Sequence, residues 1–349
     1  MTSIDPGKIK PGWTRSQGTT FFALCVDGAS RKIWAGGDDG AIAVFDGANP
    51  PKEPIARWTR HENYVSGVVL ARLAAGPVII SGSYDRQLIW WNAESGEVIR
   101  TVPGHDGWVR RLALTPDGAH LVSVGDDMLV KVWDAETGRL VRSLSGHALQ
   151  TPQGHVSALY AVALSGDGQW IASGDRVGNV RVWELGSGQL AQTFEVPTLY
   201  TYDPRQRKRS IGGIRGLTFS PDGNSLAVGG IGQVPNVDGL TGPVHVEVWD
   251  WRKPARRWAA GAEGHKGLVN DLVFHPCEPW LIGGGGGGDG GFLAFWKLDP
   301  APTSDAQGKD AFTGRRVKVD GFVHALAWGA AGSELFSAGY RRLDIWPLT

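Results

Sequence analysis

One phrase recurs along the 349-residue chain, and it restricts the fold more than any other feature. A short apolar strand leads to a turn written PDG or GDG, then come a second strand with small residues, a tight turn and a third strand ending in an aromatic. Residues 104–134 read GHDGWVRRLALTPDGAHLVSVGDDMLVKVWD, 154–184 read GHVSALYAVALSGDGQWIASGDRVGNVRVWE, and 264–296 begin GHKGLVNDLVFHP and end FLAFW. The closing aromatics fall at Phe45, Trp91, Trp133, Trp183, Trp249, Trp296 and Trp346, seven in all. Apolar residues alternate with period two, as at Val130 and Val132, and no helical period is present. Four short antiparallel strands per unit, spaced at about 40 to 45 residues, predict the blades of an all-β propeller.

Composition narrows the function classes. Glycine fills 51 positions, roughly twice the usual ~7%, and 16 tryptophans accompany it, as many turns between apolar strands require. The 35 basic residues balance 35 acidic ones, so no global field draws the chain to nucleic acid or an anionic membrane. Cys25 and Cys277 lie far apart and predict reduced thiols instead of a disulfide framework. The start, MTSIDPGKIKPGW, lacks a signal-peptide core, and no run of about 18 apolar residues occurs. A cytoplasmic chain with no membrane segment is expected.

The GH openings, the SPDG turn at Ser220–Gly223 and the VWD strings at Val132–Asp134 and Val248–Asp250 resemble the WD40-repeat family. The resemblance covers nearly the whole chain and implies a single-domain, seven-bladed propeller. Its blades are expected near residues 17–60, 61–103, 104–146, 154–196, 213–262, 264–320, and 321–349 with 9–16. The last unit stops at RRLDIWPLT, directly after its third strand, while the chain begins with KPGWTRS, which reads as a fourth strand without its own blade. Pairing the two closes the ring and removes two open sheet edges.

Blade two carries His61, Ser81, Asp85 and Trp91, and blade three His105, Ser123, Asp127 and Trp133, with the same Ser-to-Asp-to-Trp spacing. These residue types suggest nucleophilic catalysis, but repetition argues for a buried hydrogen-bond chain tying a loop to its strands in each blade. The resemblance likewise implies a structural tetrad. Blade four is read as keeping His155, Ser173 and Trp183 with Val177 in place of the Asp. Blade one has Gln17 and Asp39 at the His and Asp positions, blade five has lost both, and blade seven has Tyr340 near the Asp position. Blades two and three are therefore expected to be the stiffest.

The run GGGGGGDGG at 283–291 lacks the Lys-Ser/Thr ending and the following helix of a phosphate-binding loop, so it reads as a long, floppy turn. The nine histidines show no metal-binding spacing, and His61, His105, His155 and His265 are claimed by repeat position. No catalytic residue, metal or cofactor is assigned.

Four insertions belong to one face of the disc, the top: 145–155 before blade four, 197–213 before blade five, 231–243 within blade five, and the glycine run of blade six. A fifth, 298–314, is expected on the bottom or outer side. Long loops on a rigid scaffold carry specificity. Arg205, Arg207, Lys208 and Arg209, beside Tyr200 and Tyr202, form a local basic patch suited to an acidic partner segment. By resemblance, the top-face contact positions are Phe22, Asp38, Tyr64, Tyr84, Trp108, Arg110, Asp126, Tyr160, Arg176, Arg215, Asn270, Phe322 and His324. Tyr, Trp and Arg are interface anchor types. The expected function is a non-catalytic scaffold or adaptor that binds a protein or peptide on the top face, chiefly over blades four to six, alone or within a larger assembly. No signal for homo-oligomerisation is present, and nucleic acid is not the expected primary partner. The competing readings are a propeller enzyme at the channel mouth, drawing on Asp38, Asp126 and His324, and a nucleoprotein subunit using residues 205–209.

Overall fold

The computed structural model describes residues 4–205, 207–298 and 315–348. Seven four-stranded antiparallel sheets follow one another in chain order, and a two-stranded hairpin, Tyr200–Asp203 with Arg209–Gly212, stands between the fourth and fifth. The inner strands of blades one to seven are Phe21–Val26, Val65–Leu73, Val109–Leu114, Leu159–Leu164, Gly216–Phe219, Leu268–Phe274 and Val323–Trp328. Blade seven is completed by the N-terminal strand Trp13–Ser16, which runs antiparallel to Arg342–Pro347 with Trp13 opposite Ile345. The ring is thus closed as the chain ends predict. Apolar clusters fill the wedges between blades, for example Trp58, Val65, Ile79 and Trp91 between the first two.

In blades two and three the hydrogen-bond chain is complete. Trp91 Nε1 donates to Ser81 Oγ at 2.8 Å, and His61 lies 2.8 Å from that hydroxyl through Nε2 and 2.7 Å from Asp85 through Nδ1. The blade-three distances are 2.9, 2.7 and 2.8 Å for Trp133, Ser123, His105 and Asp127. Every polar atom of the chain has a partner, which makes its burial tolerable.

Blade four corrects the sequence reading. Its histidine is His147, not His155: His147 reaches Ser173 at 2.8 Å and Asp175 at 3.0 Å, and Trp183 donates to the same serine. The carboxylate comes from two residues before Val177, and Asn179 also donates to it. Blade four is therefore tied as fully as blades two and three. Burial opposes ionisation of Asp85, Asp127 and Asp175, but the imidazole and backbone N–H groups outweigh it and hold each carboxyl below its ordinary value.

The other blades use different ties. In blade five Glu247, almost fully buried, accepts from Trp249 Nε1 at 2.9 Å and lies 2.9 Å from His245. In blade seven Trp346 donates to Ser337, and Asp344 accepts from Arg342 and from Thr14 of the N-terminal strand.

The glycine run also departs from expectation. Gly283–Gly287 is not a floppy turn but the end of the strand Trp280–Gly287, paired to Gly290–Lys297. A Cβ on Gly284 would come within 2.5 Å of Val323, one on Gly285 within 2.0 Å of the Leu268 carbonyl, and one on Gly286 within 2.3 Å of Phe322. The neighbouring chain leaves no room for side chains here, so the glycines are a packing requirement. Only Gly288 and Asp289 make the turn. The insertion expected at 298–314 lies outside the described residues except for Leu298.

Candidate functional site

A shared irregularity of the inner strands positions the top face. Six of them pair with their second strands through a register shift at the same place: between Phe21 and Ala23, Val65 and Gly67, Val109 and Arg111, Leu159 and Ala161, Val269 and Asp271, and Val323 and Ala325. The extra residue at each bulge is taken out of the ladder and re-aimed. Those residues are Phe22, Ser66, Arg110, Tyr160, Asn270 and His324, and together with Arg215 of blade five they line one cavity of about 190 Å³ at the mouth of the central channel. In five blades the turn before the third strand is bonded back to the same end: the N–H groups of Asp38, Tyr84, Asp126, Arg176 and Tyr340 donate to the carbonyls of Thr20, Tyr64, Trp108, Ala158 and Phe322.

Around the mouth the side chains form one continuous shelf. His324 packs on Phe22 at 4.8 Å between ring centroids, Phe22 stacks on Tyr64 at 5.2 Å, Tyr64 meets Tyr84 at 5.5 Å, and Tyr84 stacks on Trp108 at 4.4 Å. Arg110 lies over Tyr84, Trp108 and Tyr160, holds Asp126 with two bonds of 2.6 and 2.9 Å, and donates to the Tyr84 hydroxyl. Arg215 also lies over Tyr160, its guanidinium 3.5 Å from the ring centroid. Although so placed, Tyr64 and Trp108 remain 41% and 43% exposed. Stacking therefore fixes their rotamers while leaving apolar area free, the condition for a preorganised anchor.

Beneath the shelf, Arg111 pairs with Asp271 at 2.7 Å, and Arg111 borders both the mouth cavity and a second one of about 210 Å³ further along the channel. Burial, as the largest effect, raises the Asp271 carboxyl above its ordinary value, against the pull of Arg111. Burial likewise pushes the His324 pKa down to about 4, with Arg111 and Arg215 adding to it. Asp38 accepts from the Thr20 N–H, Asp126 is held by Arg110, and His324 faces Asn270, so the three groups considered for catalysis are engaged separately. Among the described residues no group of three or more His, Cys, Asp or Glu side chains is placed to hold a metal ion.

The long loops of blades four to six contact one another. Tyr200 donates its hydroxyl to Gln153, and Tyr202 packs on His155. Gln233 donates to the carbonyls of Pro197, Thr198 and Tyr200. Gly288 N–H donates to the Leu240 carbonyl, which links the blade-five excursion to the blade-six turn. Leu149 and Val156, at 66% and 70% exposure, are the most exposed large apolar side chains among the described residues.

Three features were not read from the sequence. Arg207 and Arg209 of the basic patch both pair with Asp238 from the neighbouring loop, so the patch offers less free charge than its composition suggests. Ser66 occupies the blade-two bulge, and Arg111 with Asp271 forms the channel pair. The equivalence of Ser66 with Arg110 was available from the repeat spacing; the Asp238 pairing, between two unrelated insertions, had no sequence signal. Arg176 donates to the Val156 carbonyl and to Ser210, which joins the mouth to the loop cluster, while Phe322 packs over Gly286.

Comparison with known proteins agrees with this architecture. Residues 96–134, 138–184 and 260–297 match the family model described as WD domain, G-beta repeat. Each match runs from the region of one blade's outer strand to the end of the next blade's third strand, the same stagger that closes the ring. The chain is 35% identical over 153 residues to the nuclear distribution protein nudF of Emericella nidulans, covering 38% of this chain and 32% of that one. Over 124 residues it is 33% identical to the nuclear distribution protein PAC1 of Arthroderma otae, covering 34% and 24%. The chain thus spans a third or less of the curated relatives' length. Among the described residues, no helix is long and apolar enough to cross a membrane.

Proposed function

We propose that this chain, a seven-bladed β-propeller of the WD40-repeat family, acts as a non-catalytic adaptor holding a protein or peptide on its top face. The observation that carries the reading is the continuous shelf from His324 through Phe22, Tyr64, Tyr84 and Trp108 to Arg110, Tyr160 and Arg215. Rings already stacked lose little freedom when a partner arrives, and a few aromatic and arginine anchors supply most of an interface's affinity. Tyr200 and Tyr202 with Arg205, Arg207, Lys208 and Arg209 extend the surface over blades four to six, and Asn270, Arg176 and Phe322 complete its edge. We read residues 1–349 as a single propeller domain that acts in the cytoplasm within a multi-subunit assembly. The names of its relatives, which refer to nuclear distribution, favour that kind of role. The ion pairs to Asp238 weigh against the basic loop as a nucleic-acid surface.

The test is affinity capture from the native host with three forms: wild type, Tyr64→Ala/Trp108→Ala on the top, and Cys277→Ala/Glu278→Ala in the groove between blades five and six on the opposite face. The top-face variant is expected to weaken retention of the partner by tenfold or more, roughly 1.4 kcal/mol or above, with the groove variant unchanged. Retention by the top-face variant and loss by the groove variant would refute the reading.

A further inference from the structure

The cations at the channel mouth are not equivalent. Arg110 has Asp126, and Arg111 has Asp271. Arg215 has no carboxylate among the described residues, and its Nε is buried without any hydrogen-bond partner. Among the described residues its guanidinium packs on the face of Tyr160. His324 adds no compensating charge, and Arg110 and Arg176 oppose Arg215. Burial, above all, holds the Arg215 guanidinium below the usual arginine range.

A guanidinium drawn partly out of water without a counter-ion gives up hydration that the protein does not fully replace. Stacking on a ring offsets only part of that loss, so the site lacks the species that would complete it. The missing species must supply negative charge and accept from a planar fork of N–H groups, which a carboxylate does in bidentate fashion. Size narrows the choice further. The cavity holds about 190 Å³, whereas whole drug-sized or nucleotide-like ligands occupy pockets of roughly 300 to 1,000 Å³. A single acidic side chain fits. Exposed Tyr64 and Trp108 lie along the same shelf, where the apolar neighbours of that side chain would rest.

We propose that the channel mouth is a carboxylate subsite in which Arg215 receives an Asp or Glu side chain of the bound partner segment, with Tyr160 holding the guanidinium in place. The peptide source of the carboxylate rests on the adaptor reading; the subsite itself does not.

The experiment uses the whole chain and an array of acetylated, amidated pentapeptides. Each carries a central Glu or its isostere Gln, flanked by combinations of Gly, Leu and Trp, and free glutarate is titrated in parallel. The wild type is expected to retain Glu peptides about tenfold better than their Gln twins. Arg215→Gln abolishes that preference, and Arg215→Lys keeps part of it because the charge remains without the fork. Since Arg215 loses no ion pair, Arg215→Gln should melt no more than about 2 °C below the parent, which separates loss of the subsite from loss of the fold. Glutarate that binds the wild type but not Arg215→Gln, without any Glu preference in the array, assigns the subsite to a free acid. Equal retention of Glu and Gln peptides with no glutarate binding, or a Glu preference that survives Arg215→Gln, overturns the subsite. The Tyr64/Trp108 experiment would still stand on its own in that case.

Discussion

The two halves of the top face reach rigidity by different routes. Over blades seven, one, two and three the loops are short, and order comes from rings stacked in series around the channel. Under Tyr84 and Trp108 the loops are tied down by buried His–Ser–Asp–Trp chains. Over blades four to six the surface consists of excursions that brace each other through Gln233, Asp238 and the Tyr200–Gln153 bond. The first half is a shelf built into the repeat, and the second was added to it. A partner therefore meets apolar anchors on one side and adaptable polar loops on the other, a division that serves affinity and specificity separately.

The comparison breaks most visibly if the tetrads are not what stiffens the shelf. Asp127, only 8% exposed, holds His105 and the Asp106 N–H. Its replacement by Ala should cost about 2 to 3 kcal/mol and raise amide exchange at residues 105–108. The equivalent Asp39 of blade one, 36% exposed and paired with Arg57, should cost under about 1 kcal/mol. Chemical denaturation of the two variants checks the contrast, and equal costs would refute it.

A smaller effect tests how deeply the shelf is buried. His324 has an ordinary value of 6.5 and a folded value of about 4. Between these values the unfolded chain holds a proton that the folded chain does not, so this histidine's share of stability is present above 6.5 and lost as pH falls towards 4. From pH 7 to 5 the loss should be about 1 to 2 kcal/mol. Denaturation midpoints of the wild type should fall more steeply over that interval than those of His324→Gln.

The smallest effect belongs to the added half. Asp238→Ala frees Arg207 and Arg209, whose pairs are exposed, so global stability should change by under about 1 kcal/mol. Limited trypsin digestion should nevertheless cut faster at residues 205–209. An unchanged cleavage rate would show that the loops do not depend on that brace.

The repeat made most of the shelf legible, because a bulge at a fixed point of six of the seven inner strands turns one countable residue towards the channel. Phe22, Arg110, Tyr160, Asn270 and His324 are placed there by the family resemblance together with their position in the repeat. Counting misled at blade four. His105 and Ser123 are 18 residues apart and His61 and Ser81 are 20, so His155, 18 residues before Ser173, looked right, whereas the bonded His147 lies 26 residues before it. An insertion had separated the histidine from its strand, and Asp175 replaced the carboxylate from a shifted position. The glycine run misled for another reason: glycine more often marks freedom than crowding, and the crowding here comes from Phe322 and Val323 of the next blade. Contacts between two insertions, such as Arg209 with Asp238, follow no period and could be found only in three dimensions.

Hydrogen–deuterium exchange on the chain with its captured partner bound tests the central claim most directly. Protection is predicted at 63–65, 84, 108–110, 149–156, 200–212 and 233–240, with the turns at 221–224 and 275–279 unchanged. Protection confined to those two turns, with the shelf exchanging as in the free protein, would contradict it.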